Sequence, residues 1–391
     1  MLKRMAVIVT GLMLTASLAL AATPAVPVFN LGAKSTKVAD GFMDDINDNR
    51  QLVVDGNNVY VAFNGTNGEA RIVRSTDGGL TWGVPALLSA TGTQPRIVKV
   101  KDPLYTGKNL IVATWADTEG LMYSFFADRP AGAGWSAPVV IAGTQTVDPW
   151  ITKIVAAPNG SLHLFFGASD GLNYTSANSA ESTFGTPVVL PWGADWNNFA
   201  IAIDGSNNIY AVDYVGNSVT FHKKSFGSST WSSVPISPNA SDNVSIAVYD
   251  ANNIYIAYKE STPTSLSIWV AVTTNGGKTW TKRPVTPNAT VYGTYPSITV
   301  NSSKVITVVG HYVNWGPDGR ITVNKSSDNG ATWSANVNVV GTAHSGAVLD
   351  ASGKVCIVSS MYGSTETDAN FFAGTPTDWN QSKAIYFSRE K

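Results

Sequence analysis

The sequence predicts an all-β protein made of seven similar repeats, and three features of the chain support this fold class. Only 14% of its 391 residues are charged and 35 are glycine, whereas typical soluble domains carry about 25% charged residues. One turn motif occurs three times, and strand signals recur with a period near 50 residues. Such a period without helical signals is typical of propeller blades. We therefore expect a single seven-bladed β-propeller of four-stranded antiparallel blades.

The first 21 residues have the pattern of an export signal. Lys3 and Arg4 precede an apolar run over residues 5–20, and residues 19–21 form a small-x-small cleavage site. The sequence predicts a signal peptide over residues 1–21 and a propeller domain over residues 22–391, located in the periplasm or secreted. An uncleaved membrane anchor is the alternative. No later apolar run is long enough to cross a membrane, so no span is expected after signal cleavage.

The first repeat shows the strand pattern that the other six follow. Alternating apolar residues predict strands over residues 51–55, 59–64, 70–75 and 85–89. The first two strands recur at 97–100 with 110–115, 151–156 with 161–166, 199–203 with 209–213, 244–249 with 254–258, 297–300 with 305–309, and 346–349 with 355–359.

The seventh repeat lacks an outer strand, because the chain ends soon after its third strand at residues 384–388. We expect the segment 26–31 to pair there and close the ring, since closure removes free sheet edges. A six-bladed propeller with the seventh unit as an extra is the alternative.

Three nearly superimposable turns punctuate the repeats, at residues 75–82, 273–280 and 326–333. An Asp or Asn side chain can accept backbone N–H groups in such a turn, a glycine allows positive φ, and the final Trp is expected to pack on its own blade. Degenerate copies end in Trp135, Phe184 and Trp231, which keeps the terminal aromatic residues 47 to 53 apart. The residues expected to build these turns are Ser75, Asp77, Gly79, Thr81, Trp82, Asn275, Gly277, Trp280, Asp328, Gly330 and Trp333.

These turns resemble the Asp-boxes, or BNR repeats, of the sialidase-like superfamily. Sialidases are six-bladed propellers that hold a carboxylate with three arginines and use a Tyr nucleophile assisted by Glu, with an Asp acid/base. The resemblance implies Arg50, Arg96 and Arg320 for the carboxylate. Asp48 or Glu366 is implied as the acid/base. The same turn also occurs in seven-bladed lectins, other glycosidases and assembly factors, so the turn alone does not select an activity.

Binding is expected on the face that carries the loops entering each inner strand, because these loops are long and uneven. Aromatic rings suit the C–H face of a sugar, and acidic and amide groups suit its hydroxyls. The candidate ligand-binding residues on this face are Trp115, Trp150, Trp196, Tyr295, His311, Trp315 and Tyr362.

Composition and residue spacing argue against several classes of partner and site. A formal net charge of −1 gives no reason to expect nucleic acid as a partner. Four histidines without zinc-like spacing predict no metal site, and no cofactor is expected. The lone Cys356, inside an apolar run, is expected to be a buried small hydrophobe. The leading prediction is a monomeric binding module for a glycan or protein ligand; the alternatives are an exo-acting sialidase-type glycoside hydrolase and an envelope assembly factor, so catalysis is left open.

Overall fold

The computed structural model describes residues 36–43, 49–145, 147–193, 198–262, 265–285, 292–313, 320–339, 343–362 and 382–391. Within them the chain forms one short 3-10 helix, Asn49–Gln51, and 29 β-strands arranged in seven antiparallel sheets. The predicted seven-bladed β-propeller is confirmed, and the six-bladed alternative is wrong. None of the described helices is long and apolar enough to span a membrane.

The first three blades follow the chain in order. Blade 1 comprises β2 (Leu52–Asp55), β3 (Asn58–Asn64), β4 (Ala70–Ser75) and β5 (Ala86–Ser89). Blade 2 comprises β6 (Thr93–Lys101), β7 (Asn109–Asp117), β8 (Gly120–Arg129), β9 (Gly132–Trp135) and β10 (Val139–Val140), the last two both pairing with β8. Blade 3 comprises β11 (Val147–Ala156), β12 (Leu162–Ala168), β13 (Gly171–Ala177) and β14 (Val188–Val189).

The next three blades repeat this order. Blade 4 comprises β15 (Phe199–Ile203), β16 (Ile209–Val215), β17 (Ser218–Lys224) and β18 (Ser232–Ser237). Blade 5 comprises β19 (Ala240–Val248), β20 (Ile254–Thr262), β21 (Ser265–Thr273) and β22 (Thr281–Pro284). Blade 6 comprises β23 (Tyr292–Val300), β24 (Ile306–Val313), β25 (Arg320–Ser326) and β26 (Val337–Val339).

Blade 7 joins the two ends of the chain. Its strands are β27 (Ala343–Leu349), β28 (Val355–Tyr362), β29 (Ser382–Arg389) and the N-terminal β1 (Thr36–Ala39). Closure by an N-terminal strand is therefore confirmed, but the strand is not the predicted 26–31, which lies outside the described residues. The sequence shows little sign of a strand over residues 36–39, because Thr36 and Lys37 interrupt the apolar alternation there.

The closing segment 36–43 is fastened to both neighbouring blades, and we call it the strap. Its strand β1 pairs with β29 of blade 7. Beyond β1, the Phe42 N–H donates to the Asn64 carbonyl of blade 1 at 2.9 Å, and the Asn64 N–H donates back at 3.0 Å. The Met43 N–H donates to the Ser360 hydroxyl of blade 7 at 3.0 Å. The strap thus joins the first and last blades through hydrogen bonds to each.

The three repeated turns share one hydrogen-bond pattern. In the first, Gly79 N–H donates to the Ser75 hydroxyl at 2.9 Å and Thr81 N–H donates to Asp77 Oδ1 at 2.9 Å. The third turn has the same bonds, from Gly330 to Ser326 and from Thr332 to Asp328. In the second turn, Thr279 N–H donates to Asn275 Oδ1 at 3.0 Å, as predicted for an Asp-to-Asn exchange. Gly79, Gly277 and Gly330 all have positive φ.

The expectation that each Trp packs on its own blade needs correction. The Trp82 ring of blade 1 meets Phe387 of blade 7 edge-on, with centroids 5.7 Å apart. The Trp280 ring of blade 5 likewise meets Phe221 of blade 4 at 5.1 Å. A Cβ on Gly79 would lie 2.2 Å from the Phe387 ring. In the first two turns the glycine therefore lies too close to the preceding blade for a Cβ, which at Gly277 would lie 2.6 Å from Phe221, and the Trp packs across the seam.

The hydrophobic core is divided among the seams between neighbouring blades. Seven clusters of buried side chains occur in the described residues, and each combines residues of two adjacent blades. Cys356 is buried in the cluster between blades 7 and 1, as predicted, and burial raises the pKa of its thiol to about 12. Because every blade packs on two neighbours, closure of the ring buries apolar surface on both sides of every sheet.

Candidate functional site at the upper mouth

The strand order defines two faces of the ring. The turns between first and second strands and the three repeated turns lie on one face, which we call the lower face. The Gly78 N–H of the first repeated turn donates to Asn57 O of the adjacent β2–β3 turn at 2.8 Å, which brings these turns together. The upper face carries the loops that enter each inner strand and the loops between second and third strands. It is the face predicted to bind a ligand.

The inner strands break register at the same level on the upper face. Bulges interrupt the pairing of the first two strands in blades 2, 3, 5, 6 and 7. A β-bulge bends a strand and redirects a side chain. The bulges also explain why the sequence predicted shorter strands, such as 97–100 in place of Thr93–Lys101. The apolar alternation is lost at the bulge, although the pairing resumes beyond it.

Three of these bulges hold a non-glycine residue in the left-handed region. The φ angles are 58° at Gln94, 54° at Asn243 and 55° at Tyr295, a conformation that is uncommon for large side chains. Each N–H is satisfied by an amide oxygen of an earlier residue: Gln94 donates to Asn64 Oδ1 at 2.9 Å, Asn243 to Asn198 Oδ1 at 3.1 Å, and Tyr295 to Asn243 Oδ1 at 3.2 Å. Polar bonds from one blade to the next therefore hold this strained backbone at the mouth.

The described members of the proposed arginine triad occupy different environments. Arg50, in the 3-10 helix before β2, donates from Nη2 to the Ile201 carbonyl of blade 4 at 2.6 Å, which places its side chain across the central channel. Arg96 begins the regular part of β6, is fully buried, and donates to the Pro95 carbonyl and to Gln94 Oε1. The backbone of Arg320 pairs with Tyr312 at the upper end of blade 6.

Trp115 lies in the core rather than at the mouth. Its side chain is 1% exposed and belongs to the cluster between blades 1 and 2. Its indole N–H donates to Asp117 Oδ2 at 3.3 Å, and the Ser89 hydroxyl donates to the same oxygen at 2.6 Å. Gly92 covers the ring, since a Cβ there would lie 2.3 Å from it. In this position Trp115 presents no ring face to a ligand.

Some of the other predicted site residues lie in the described part of the chain, and the rest lie outside it. Tyr295 is partly exposed at its bulge. The backbones of Trp150, His311 and Tyr362 lie near the upper ends of β11, β24 and β28. The predicted residues outside the described part of the chain are Asp48, Trp196, Trp315 and Glu366. Trp150 and Tyr295 share one feature: both lie within the register breaks of their strands.

Sequence reasoning missed a buried polar cluster in blade 4. His222 stacks on Trp192 with centroids 4.3 Å apart, and its Nδ1 lies 2.8 Å from the Ser233 hydroxyl. Asp213 Oδ2 lies 3.0 Å from His222 Nε2, but Nε2 forms no hydrogen bond among the described residues. A Ser-His-Asp relay needs a hydrogen bond on each ring nitrogen. Register pairing across β16, β17 and β18 brings these residues together, which scattered sequence positions could not reveal.

No group of three His, Cys, Asp or Glu side chains that could hold a metal ion occurs in the described ranges. The described non-glycine residues with positive φ at the register breaks of the upper mouth are instead polar or aromatic, namely Gln94, Asn243 and Tyr295.

Comparisons with known proteins give a likeness of fold. No protein-family model matches the chain, and no curated protein matches it. An ulvan lyase of polysaccharide lyase family PL25 is similar, with a TM-score of 0.60, 12% identity, and coverage of 90% of this chain and 95% of the lyase. The BP39L lectin from Burkholderia pseudomallei has a TM-score of 0.57 and 16% identity, covering 83% of this chain and 96% of the lectin. The NanB sialidase of Streptococcus pneumoniae is also found, at a TM-score of 0.49 and 13% identity, with 92% and 70% covered.

Proposed function

We propose that this protein is an exported glycan-binding propeller that holds its ligand at the upper mouth of the ring. The proposal rests on the positions of Trp150 and Tyr295, which both lie at a bulge of an inner strand on the upper face. Strained backbone that is stabilised by its surroundings is typical of ligand-binding positions. Tyr295 lies in the left-handed region at the register break of its strand, and its N–H donates to Asn243 Oδ1 of the preceding blade at 3.2 Å.

The fold comparisons support the same ligand class. The ulvan lyase has also been solved with a –[GlcA(1-4)Rha3S]– saccharide bound, and BP39L is a lectin. The match with this chain covers 95% of the lyase chain and 96% of the lectin chain. Aromatic residues with amide and acidic neighbours suit a sugar, whose C–H face stacks while its hydroxyls form hydrogen bonds. The proposal therefore favours a glycan over a protein ligand or an assembly role.

A glycan array with the mature chain tests this function. We expect wild type to retain at least one polysaccharide and the variants Trp150→Ala, Trp315→Ala and Tyr295→Ala to bind it at least tenfold more weakly. The matched control is Tyr249→Ala, which removes an exposed tyrosine at the lower face. No retention of any glycan, or an equal loss in the control, would contradict the proposal and favour the assembly role.

Two further measurements separate the alternatives. Release of sugar from a fluorogenic sialoside by wild type would replace the binding role with the sialidase-type hydrolase, in which Arg50, Arg96 and Arg320 bind the carboxylate. Export is tested by fractionating cells that express the full chain and sequencing the N-terminus of the product. A mature protein that begins at Ala22 supports the proposed cleavage, and an intact N-terminus in the membrane fraction supports the anchor.

A further inference from the structure

A separate cavity lies where the strap closes the ring against blade 1. Its volume is about 320 Å³, which is at the small end for ligand pockets in proteins. Val38 and Ala39 of the strap and Pro85 of blade 1 contribute the apolar part of the lining. Glu69 and Arg71, at the start of β4, contribute the charged part of the lining.

The carboxylate of Glu69 is held in one position. Arg71 Nε donates to Oε1 at 2.8 Å and the Asn67 N–H donates to Oε2 at 3.0 Å, while the residue as a whole is only 8% exposed. Gly65 makes room for this arrangement, because a Cβ there would lie 2.4 Å from Oε1. Burial acts to raise the pKa of Glu69, but these hydrogen bonds outweigh it and the pKa is lowered. The cavity thus contains a fixed, ionised acceptor.

Arg71 supplies donors beside this acceptor. Its side chain is 32% exposed, and its bond to Glu69 uses Nε alone. A guanidinium group has five N–H donors, so its two terminal nitrogens stay available to a ligand in the cavity. The Thr66 hydroxyl, also in the lining, can donate or accept.

The charges of the lining select the chemical class of ligand. Asp40 and Glu69 contribute two carboxylates, and each is paired with a cation: Asp40 Oδ1 lies 2.7 Å from Lys37 Nζ, and Glu69 Oε1 lies 2.8 Å from Arg71 Nε. The paired charges cancel, so Coulomb attraction favours a neutral ligand over an ion in the cavity. Paired acceptors and donors next to apolar Val38, Ala39 and Pro85 suit adjacent hydroxyl groups on a ring with an apolar C–H face. We propose that this cavity binds one neutral pyranose unit, such as the end of a glycan chain.

The position of the cavity links ligand binding to the stability of the closed ring. The lining residues come from both the strap and blade 1, so a bound sugar contacts both partners of the ring closure. A ligand that binds only the folded ring raises its stability by mass action. Occupancy therefore stabilises the closed ring, and thermal unfolding reports binding. The cavity shares no lining residue with the bulges that hold Gln94, Asn243 and Tyr295, so separate variants test it and the function proposed above.

The test uses the mature wild-type chain with the methyl pyranosides of glucose, galactose, mannose, fucose and rhamnose, and with glucuronic acid. Saturation-transfer NMR at millimolar sugar detects weak binding, and the melting temperature is measured at 50 mM sugar in parallel. We expect at least one neutral sugar to give both a transfer signal and a rise in melting temperature. Arg71→Met should reduce both at least tenfold.

Matched variants distinguish loss of binding from loss of folding. Gly65→Ala should displace Glu69 and block the cavity, whereas Gly134→Ala, in an outer strand with nothing within 4 Å of the added Cβ, should bind like wild type. Arg283→Met removes an arginine of blade 5 and should also leave the signal unchanged. A signal that persists in Trp150→Ala but is lost in Arg71→Met supports the cavity. No signal from any neutral sugar, an unchanged signal in Arg71→Met, or preference for glucuronic acid would overturn the proposal.

Discussion

At the scale of single residues, the Asp or Asn side-chain oxygen of each repeated turn acts as a hydrogen-bond acceptor. Burial acts to raise the pKa of Asp328, but the bonds from the Thr332 N–H, the Thr332 hydroxyl and the Ser326 hydroxyl outweigh it and lower the pKa. Asn275 makes the corresponding bond to Thr279 without a charge. The turn therefore depends on the acceptor oxygen first and on ionisation second.

Asp328→Ala should lower the free energy of unfolding by about 1–2 kcal/mol at pH 7, since a turn N–H loses its acceptor. Asp328→Asn should cost less than half of that. Because the folded pKa lies below the unfolded value of about 3.9, the stabilisation by ionised Asp328 is present above pH 4 and disappears as the pH falls through the folded pKa. Urea unfolding of the three proteins at pH 7 and pH 3 checks this. Equal losses in the Ala and Asn variants would show that the acceptor is unimportant.

His163 provides a second effect of pH. Its Nδ1 lies 2.7 Å from the Tyr174 hydroxyl, and burial together with nearby Lys224 lowers its pKa to about 4. The unfolded chain binds a proton below about pH 6.5, whereas the folded chain does not until about pH 4. Stability should therefore rise with pH between 4 and 6.5, by at most about 3 kcal/mol.

His163→Gln removes this titration and should flatten the rise in stability between pH 4 and 6.5 by about one bound proton. The measurement is the free energy of unfolding in urea at half-unit pH steps. Wild type and variant curves with the same slope in that window would exclude His163 as its source.

At the scale of elements, the repeated turns pack against neighbouring blades. The space that a Cβ would find at the equivalent turn glycine differs between Gly79 and Gly330. A Cβ on Gly79 would lie 2.2 Å from Phe387, with φ at +93°. A Cβ on Gly330 would lie 3.4 Å from Trp333 and 3.7 Å from Val272, with φ at +77°. The two glycines therefore share a backbone requirement, but only the first also faces a steric limit.

Gly330→Ala should cost about 1 kcal/mol, the price of a left-handed Ala. Gly79→Ala should cost about 2–4 kcal/mol, because overpacking against Phe387 adds to the backbone term. Chemical denaturation of both variants measures the difference. Equal losses would show that the Phe387 ring moves aside freely.

At the scale of the whole molecule, the strap decides whether the ring is closed. Val38 is 6% exposed, in the cluster between blades 7 and 1, and Lys37 beside it is largely exposed. An open ring would expose the edge of β29, and unpaired strand edges promote association. The stability of the ring and its solubility should therefore both depend on this one short strand.

Val38→Asp should lower the free energy of unfolding by about 3–5 kcal/mol, since it buries an unpaired charge, and should increase association. The control Lys37→Ser changes the exposed neighbour and should cost less than about 0.5 kcal/mol. Thermal unfolding and size-exclusion chromatography report the two effects. A Val38→Asp variant as stable and monodisperse as the control would show that the strap is dispensable.

Local features account for what could be predicted from the chain. The strands of the first repeat were placed to within one residue, since each is bounded by turn residues such as Gly56 and the first repeated turn. The hydrogen bonds of Asp77 and Ser75 follow from spacing alone because all partners lie within a few residues. Trp115 was misplaced, because its burial depends on Gly92, which folds over it from the loop between two blades.

The sequence by itself determined the all-β class, the number of blades and the chemistry of the repeated turns, because strand alternation and turn bonds act over a few residues. The tertiary structure decided which strand closes the ring, which aromatic rings cross a seam, and where bulges place Tyr295 beside Asn243. It also created the cavity between the strap and Glu69. These features arise from contacts between residues far apart in the chain, and no local pattern records which partner a side chain will meet.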